Sequence, residues 1–370
     1  MGKLNCFTLM VALIASILQF GYVVEAQSAQ TNSGLSHSDV TAGQQPLKFI
    51  TIPTAERGRG KVMSAAMANL LNKYTPLNTN TEIMAGISRI GSAMNKKRAE
   101  LVVLTPSQPL QAYKKDRNLR LRLLATAGGK YGLAFLGIHT TKKSGIKTVS
   151  DLRGKRVYAE TPTAVWADMF MDAVLGANGM TRKDVKWLIF GSVGEAVRDL
   201  IEGRVDAAIF FAGRGTREVG SSPKGVYIVP LTAKEQAAIH EKDPGFSSAV
   251  LPAGYEGLKS EVPVVGAPSA WWLRPGVNNI TAYLILKTMY DNATEFHAVH
   301  PALKGFLPEY GAEFWQLPYH AGSIQYFREI GIWTVEMDKK QKDLLEEDMQ
   351  IYGQLTPEEA LSYKKLGILK

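Results

Sequence analysis

The sequence predicts an α/β protein built from two similar lobes, and three observations carry that prediction. A chain of 370 residues is longer than one ordinary hydrophobic core serves, so two lobes are the starting expectation. From Leu47 onward, short apolar runs alternate with segments of helical periodicity, the pattern of α/β folds with mainly parallel sheets. The same plan then occurs twice. Strand, polar loop and helix run through residues 49–71 and again through 156–175, while helix, turn, acidic residue and apolar strand run through 93–106 and again through 197–213. The matched cores are Arg98-Ala99-Glu100-Leu101-Val102-Val103 and Arg204-Val205-Asp206-Ala207-Ala208-Ile209.

The first element is a segment of export type. Lys3 gives a positive start, residues 7–20 form an apolar run, and Val24-Glu25-Ala26 puts small residues at the two positions a signal peptidase inspects. Residues 1–26 are expected to be a signal peptide cleaved after Ala26. The run is short for a membrane span, which leaves an uncleaved anchor as the competing reading. The single cysteine, Cys6, lies inside this segment, so the mature chain is expected to lack disulfides, thiolate metal sites and cysteine nucleophiles. Residues 27–46 are rich in Ser, Gln, Thr, Asn and Gly and read as a flexible leader.

Strands are predicted at 47–52, 82–84, 101–104, 156–158, 187–190 and 207–211. Val62, Met63, Ala66, Met67, Leu70 and Leu71 recur at helical spacing and mark one apolar face. Further helices are expected at 166–175 and 192–202, the latter opening with Ser192 and Glu195 at the spacing of a capping box. Trp271-Trp272 reads as part of an apolar strand, and Pro301 directly after His300 marks a helix end. Residues 339–352 are charged and helical, and Thr356-Pro357-Glu358-Glu359 begins a second helix. These two are expected to brace the first lobe; a partner-docking element is the alternative.

In sheets of this kind the loops after the strands' carboxyl ends line the ligand crevice. Here they are residues 54–60, 105–107, 160–166 and 212–216. Within the first, Gly58-Arg59-Gly60-Lys61 invites comparison with a phosphate loop. Ala55 stands where the first glycine belongs and Val62 where Ser or Thr is needed, and Met63 replaces the third glycine of a dinucleotide fingerprint. What remains is a glycine-rich turn entering a helix beside Arg57, Arg59 and Lys61. Backbone N–H groups, the helix dipole and guanidinium forks favour an anion there. Glu56 opposes one unless it pairs with an arginine. A plain basic surface turn remains open at this point.

The composition is that of an ordinary globular protein, 45% hydrophobic and 21% charged, with a net charge of +9. A basic balance fits nucleic acid, an anionic membrane, an anionic ligand or simply a lysine-rich surface. Lys96-Lys97-Arg98 and Lys114-Lys115 are short and fall at apparent helix ends, where cations suit the dipole, so nucleic acid binding is not expected. His297 and His300 share a helical face and His320 follows, but no further ligand stands at a recognisable spacing. No G-x-S-x-G elbow occurs. Neither an enzyme, a metal site nor a cofactor is expected.

A set of motifs runs in order along the chain: the first loop and helix at 54–71, ELVVL at 100–104, GIKTVSDLRGKRV at 145–157, DAAIFFAG at 206–213 and LPAGY at 251–255. VPVVGAP at 262–268 and HAGS at 320–323 followed by Tyr326-Phe327 complete it. On these motifs the sequence from about Leu47 to Trp333 resembles the TAXI proteins, binding subunits associated with TRAP transporters. The resemblance implies a type II periplasmic-binding-protein fold that closes on glutamate or another small carboxylate. It also implies docking on TRAP membrane subunits, driven by an ion gradient. The loops depart from the family pattern. Its T-G-G-T-G-G keeps only Thr54 and Gly58, its P-G-S-G-T becomes Pro162-Thr163-Ala164-Val165-Trp166, and Ser88 is retained while Arg89 and Gly91 break the continuation.

The combined expectation is a periplasmic, monomeric clamp for a small anion, with residues 47–137 plus 264–333 as lobe 1 and 138–263 as lobe 2. Residues 334–370 form the helical extension. Arg57, Arg59, Arg89 or Arg214 would meet the negative charge beside Glu56 and Gly213. Thr54, Ser88, Ser107, Thr161 and Thr163 would give neutral hydrogen bonds, with Trp166 as a wall. A sensory or scaffold protein using the same clamp is the alternative.

Overall fold

The computed structural model describes residues 39–56, 58–84, 86–162, 166–313 and 316–370. The expected signal peptide at 1–26, most of the expected leader, Arg57 and Thr163 lie outside the described residues.

The chain enters lobe 1 through β1 (Phe49–Thr54), α1 (Arg59–Tyr74), β2 (Asn78–Ile83), α2 (Gly86–Asn95), β3 (Leu101–Leu104), a short α3 (Ser107–Leu110), β4 (Arg122–Thr126) and α4 (Gly129–Gly132). It crosses on β5 (Leu133–Thr141). Lobe 2 follows as β6 (Arg156–Glu160), α5 (Trp166–Ala177), β7 (Lys186–Ile189), α6 (Val193–Glu202), β8 (Ala207–Phe211), α7 (Arg214–Ser221), β9 (Val226–Val229), α8 (Ala233–Lys242) and β10 (Ser247–Leu251). The chain returns on β11 (Val262–Pro268) into β12 (Ala270–Leu273), α9 (Asn279–Asp291), α10 (Ala293–Val299) and α11 (Ala321–Glu329). The extension is α12 (Val335–Tyr352) and α13 (Pro357–Lys365).

Two separate hydrophobic cores define the lobes. One gathers residues up to Ala127 and from Ala270 to Ile368, the other residues from Phe135 to Ala267. The cores therefore change over within residues 127–135 and 267–270. β5 and β11 belong to the second lobe's sheet along their length, whereas the sequence reading gave residues 133–137 and 264–268 to lobe 1. Leu345, Leu355, Tyr363, Leu366 and Ile368 bury into the lobe 1 core, so the extension packs as a brace.

The sheets are mixed rather than mainly parallel. β1 pairs with β2, and β6 with β7 and β8, in parallel. β5 runs antiparallel to β8, β9 and β11, and β12 antiparallel to β3 and β4. The cause is the double crossing: a chain that leaves lobe 1 on β5 and returns on β11 puts opposite directions side by side. Local periodicity carries no information about strand direction. Both tryptophans of β12, Trp271 and Trp272, are fully buried.

Capping follows the sequence closely. Thr356 accepts the Glu359 N–H at 3.2 Å, and the Glu359 carboxylate reaches back to the Thr356 N–H. At α6, Ser192 accepts the Glu195 N–H, but the Glu195 carboxylate takes the N–H of Gly191 instead of the cap residue's own. No helix among the described residues is long and apolar enough to cross a membrane.

Candidate functional site

A cavity of about 690 Å³ opens between the lobes. Lobe 1 contributes the start of α1 (Gly58, Arg59, Gly60, Met63), the end of β3 with Thr105, and Ser269 and His300. Lobe 2 contributes Phe211 to Arg214 at the β8–α7 junction together with Tyr255 and Glu256. Sites of this size, mostly apolar with a few polar groups, suit small organic molecules.

Two helices begin at this cavity, one from each lobe. The cap residue of α1 is Gly58 at φ 96° and ψ 177°, a conformation that a side chain resists. Among the described residues no side chain caps this end; the Lys61 N–H turns back to the Gly58 carbonyl at 3.2 Å, which leaves the N–H groups of Arg59 and Gly60 to a ligand. α7 begins after Gly213, whose N–H is taken by the Thr216 hydroxyl at 3.1 Å; Arg214 stands in the lining, its guanidinium paired with Glu218 at 2.7 Å and almost wholly exposed.

Arg59 is the cation inside the cleft. It is half-buried, donates to the Leu133 carbonyl at 3.4 Å, and among the described residues has no carboxylate partner. Burial pushes its guanidinium below its ordinary value, with Tyr255 acting the other way. His300 lies close enough to feel that charge: burial first and Arg59 second hold its imidazole below the usual histidine value. Its Nδ1 accepts the Ala302 N–H at 3.1 Å, so the neutral ring carries its proton on Nε2. The Ser269 hydroxyl is buried and among the described residues has no hydrogen-bond partner, an omission that a ligand acceptor would repair. Glu256, the one carboxylate of the lining among the described residues, pairs with Arg217 at 2.7 Å. The site thus presents net positive potential against an apolar wall of Met63, Leu104, Ala134 and Phe211.

A family model described as the NMT1-like family matches residues 62–331. The chain belongs to the NMT1-like family. The match is not specifically to the TAXI proteins that the motifs resemble. Solved structures similar to this NMT1-like protein include XAC2383 from Xanthomonas citri bound to ATP, at 13% identity and TM-score 0.48, covering 70% of this chain and 88% of that one. The aliphatic sulphonate binding protein SsuA from Escherichia coli is 14% identical with TM-score 0.46, covering 84% and 95%. PhnD1 from Prochlorococcus marinus, solved with methylphosphonate, is 12% identical with TM-score 0.45, covering 86% and 96%.

Of the residues the sequence singled out in this NMT1-like protein, the cavity brings together Arg59, Gly213 and Arg214. Glu56, Ser88 and Arg89 are exposed and outside its lining. Thr54 is buried at the end of β1 with no partner for its hydroxyl among the described residues, and Thr161 is buried in lobe 2; neither lines the cavity. Trp166 is buried behind the wall, edge-on to Phe211 with ring centroids 4.9 Å apart. His300, Ser269, Tyr255 and Glu256 are the lining groups that the sequence reading did not select. His300 is also the residue at which α10 ends, as its position before Pro301 predicts.

Ser107 is spent on an interlobe contact. Its hydroxyl donates to Asp243 of lobe 2, which also accepts the Gly245 N–H at 2.9 Å. Burial raises the Asp243 carboxyl above its ordinary value, opposed by these bonds. A Cβ at Gly245 would stand 2.8 Å from the Ser107 backbone nitrogen, so this point of contact tolerates only glycine. Gly245→Ala is expected to wedge the lobes apart at this contact. Small-angle scattering should show a larger radius of gyration with unchanged helical content; an unchanged radius would mean that the contact does not hold the lobes together.

Proposed function

We propose that this protein is an exported solute-binding protein that closes its lobes on a small organic anion and releases it unchanged. The observation that carries this reading is Arg59, a half-buried guanidinium without a carboxylate partner among the described residues, placed at a helix start in the interlobe cavity. The Ser269 hydroxyl and the His300 imidazole stand in the same lining, ready to share the anion's oxygens. The apolar wall favours an anion with a carbon body over an inorganic ion. Glutamate, a dicarboxylate or another small carboxylate is the class we assign. The signal-like residues 1–26 support delivery to the periplasm. The motifs at 206–213, 251–255, 262–268 and 320–323 support the narrower role of a TAXI-type subunit docking on TRAP membrane proteins, with the chain acting as a monomer.

A thermal-shift screen of the chain from Gln27 with amino acids, dicarboxylates, keto acids, phosphates and neutral compounds tests the reading. At about a hundred times its dissociation constant a ligand stabilises the protein by about 2.7 kcal/mol, which the screen detects. A charged hydrogen bond in the cleft contributes about 1.5–3 kcal/mol, so Arg59→Ala is expected to weaken the best carboxylate by roughly ten- to a hundredfold in calorimetry. Unchanged affinity in Arg59→Ala, or a screen answered only by neutral compounds, overturns the anion assignment.

A further inference from the structure

We propose that His139 is a positioning residue of the cleft: from the crossing strand β5 it acts through the Thr216 hydroxyl to fix the Gly213 loop at the head of α7. The inference rests on the cleft reading given above and deepens it. The bonding order follows from chemistry alone. His139 Nδ1 lies 3.1 Å from the Gly137 carbonyl oxygen, which can only accept, so Nδ1 carries the proton. Nε2 is then a bare acceptor, and the Thr216 hydroxyl 2.9 Å away must donate to it. That leaves the Thr216 oxygen to accept, and it takes the Gly213 N–H at 3.1 Å. Each bond fixes the direction of the next.

Nothing in this relay is free to drift. His139 and Thr216 are fully buried, and the imidazole stacks on Phe210 with centroids 3.7 Å apart and planes 12° apart. Burial pushes the imidazole down to about 3, so the ring stays a neutral acceptor throughout the range in which proteins work. β5 supports the same loop a second time, because Ala212 donates its N–H to Phe135 at 2.7 Å. At its lobe 1 end the strand receives Arg59 on the Leu133 carbonyl. A single crossing strand thus holds both sides of the ligand cavity, the cleft arginine at one end and the α7 start at the other. The Gly213 N–H is taken by Thr216, which fixes the residue that precedes α7 and lines the cavity.

The test needs no ligand, so its failure is distinguishable from failure of the anion reading. Hydrogen exchange of amides 213–216 is compared in the wild-type chain, Thr216→Val, Thr216→Ser and His139→Phe, with melting temperature recorded for each. Thr216→Val and His139→Phe are expected to speed exchange at 213–216 on the order of tenfold while the amides of β6 keep their protection. Thr216→Ser, which retains the hydroxyl, is expected to restore the wild-type rate. Unchanged exchange in Thr216→Val, or an increase spread equally over lobe 2 with a falling melting temperature, overturns the positioning role. So does failure of Thr216→Ser to restore it.

Discussion

Asp348→Ala is expected to lower stability by about 3–5 kcal/mol, the usual cost of stranding a buried charge. Arg122 of β4 is completely buried and grips both oxygens of Asp348 from α12, each at 3.0 Å. Its Nε meets Glu359 of α13 at 3.0 Å. Arg120 and the Tyr113 hydroxyl also donate to Asp348. Burial alone would raise the Asp348 carboxyl, but the Arg122 charge and these hydrogen bonds outweigh it and hold the group below its ordinary value. Removing the carboxylate leaves Arg122 with Glu359 and no second counter-charge in a site without water access. Urea titration should therefore show a much lower midpoint, and Arg122→Met combined with Asp348→Leu and Glu359→Gln, which removes the buried guanidinium together with both of its carboxylates, should recover part of the loss. A loss below about 1 kcal/mol for the single variant would mean that the extension is a surface attachment and not part of lobe 1.

This network marks one limit of what a sequence displays. The strand at Arg122–Thr126 was not among those the sequence reading gave, and an arginine buried on a strand needs a partner. Which carboxylates answer it, more than two hundred residues away, is not encoded locally. Elements set by periodicity or capping were legible by contrast. α1, α6 and α13 begin where glycine, Ser192 and Thr356 predict, because caps and apolar faces depend on neighbours within four residues.

The candidate site divides in the same way. The loop after β1 was readable as an anion-prone helix start because its glycines and arginine are contiguous, and the repeated plan pointed to the loop after β8. His300 and Ser269 arrive from the chain's second pass through lobe 1, so no spacing rule connects them to Arg59. Ser107 shows the converse error. It stands in a crevice loop as expected, but Asp243, 136 residues away in sequence, occupies its hydroxyl. Strand direction was unreadable for a related reason, since β5 and β11 look locally like any buried strand.

Acidification from about pH 7 to about pH 5 is expected to cost about 2 kcal/mol for each of two buried histidines. His139 is pushed down to about 3 by burial, despite its bond to the Gly137 carbonyl. His320 is pushed down to about 4, again chiefly by burial, while its bond to the Val277 carbonyl acts the other way. Both rings are neutral in the folded protein, yet in the unfolded chain they gain a proton at about pH 6.5. The unfolded state therefore binds more protons below that value, and stability falls as pH drops from about 6.5 toward the folded values. The half-buried His300 is shifted in the same direction and adds to the slope. Carboxylates such as Asp199 and Asp206 are held below their ordinary value by hydrogen bonds from Tyr158 and Arg156. Their contribution is present above the unfolded carboxylate value and is lost only at lower pH, so between about pH 4 and pH 6.5 the histidines dominate the loss, opposed by the Asp243 carboxyl, which burial raises and which therefore protonates first in the folded state. Urea midpoints measured across this window should decline steadily, and His139→Phe, which cannot bind a proton, should flatten the slope by roughly half. A wild-type midpoint that stays level to about pH 5 would show that the two imidazoles reach water and protonate without unfolding the lobes.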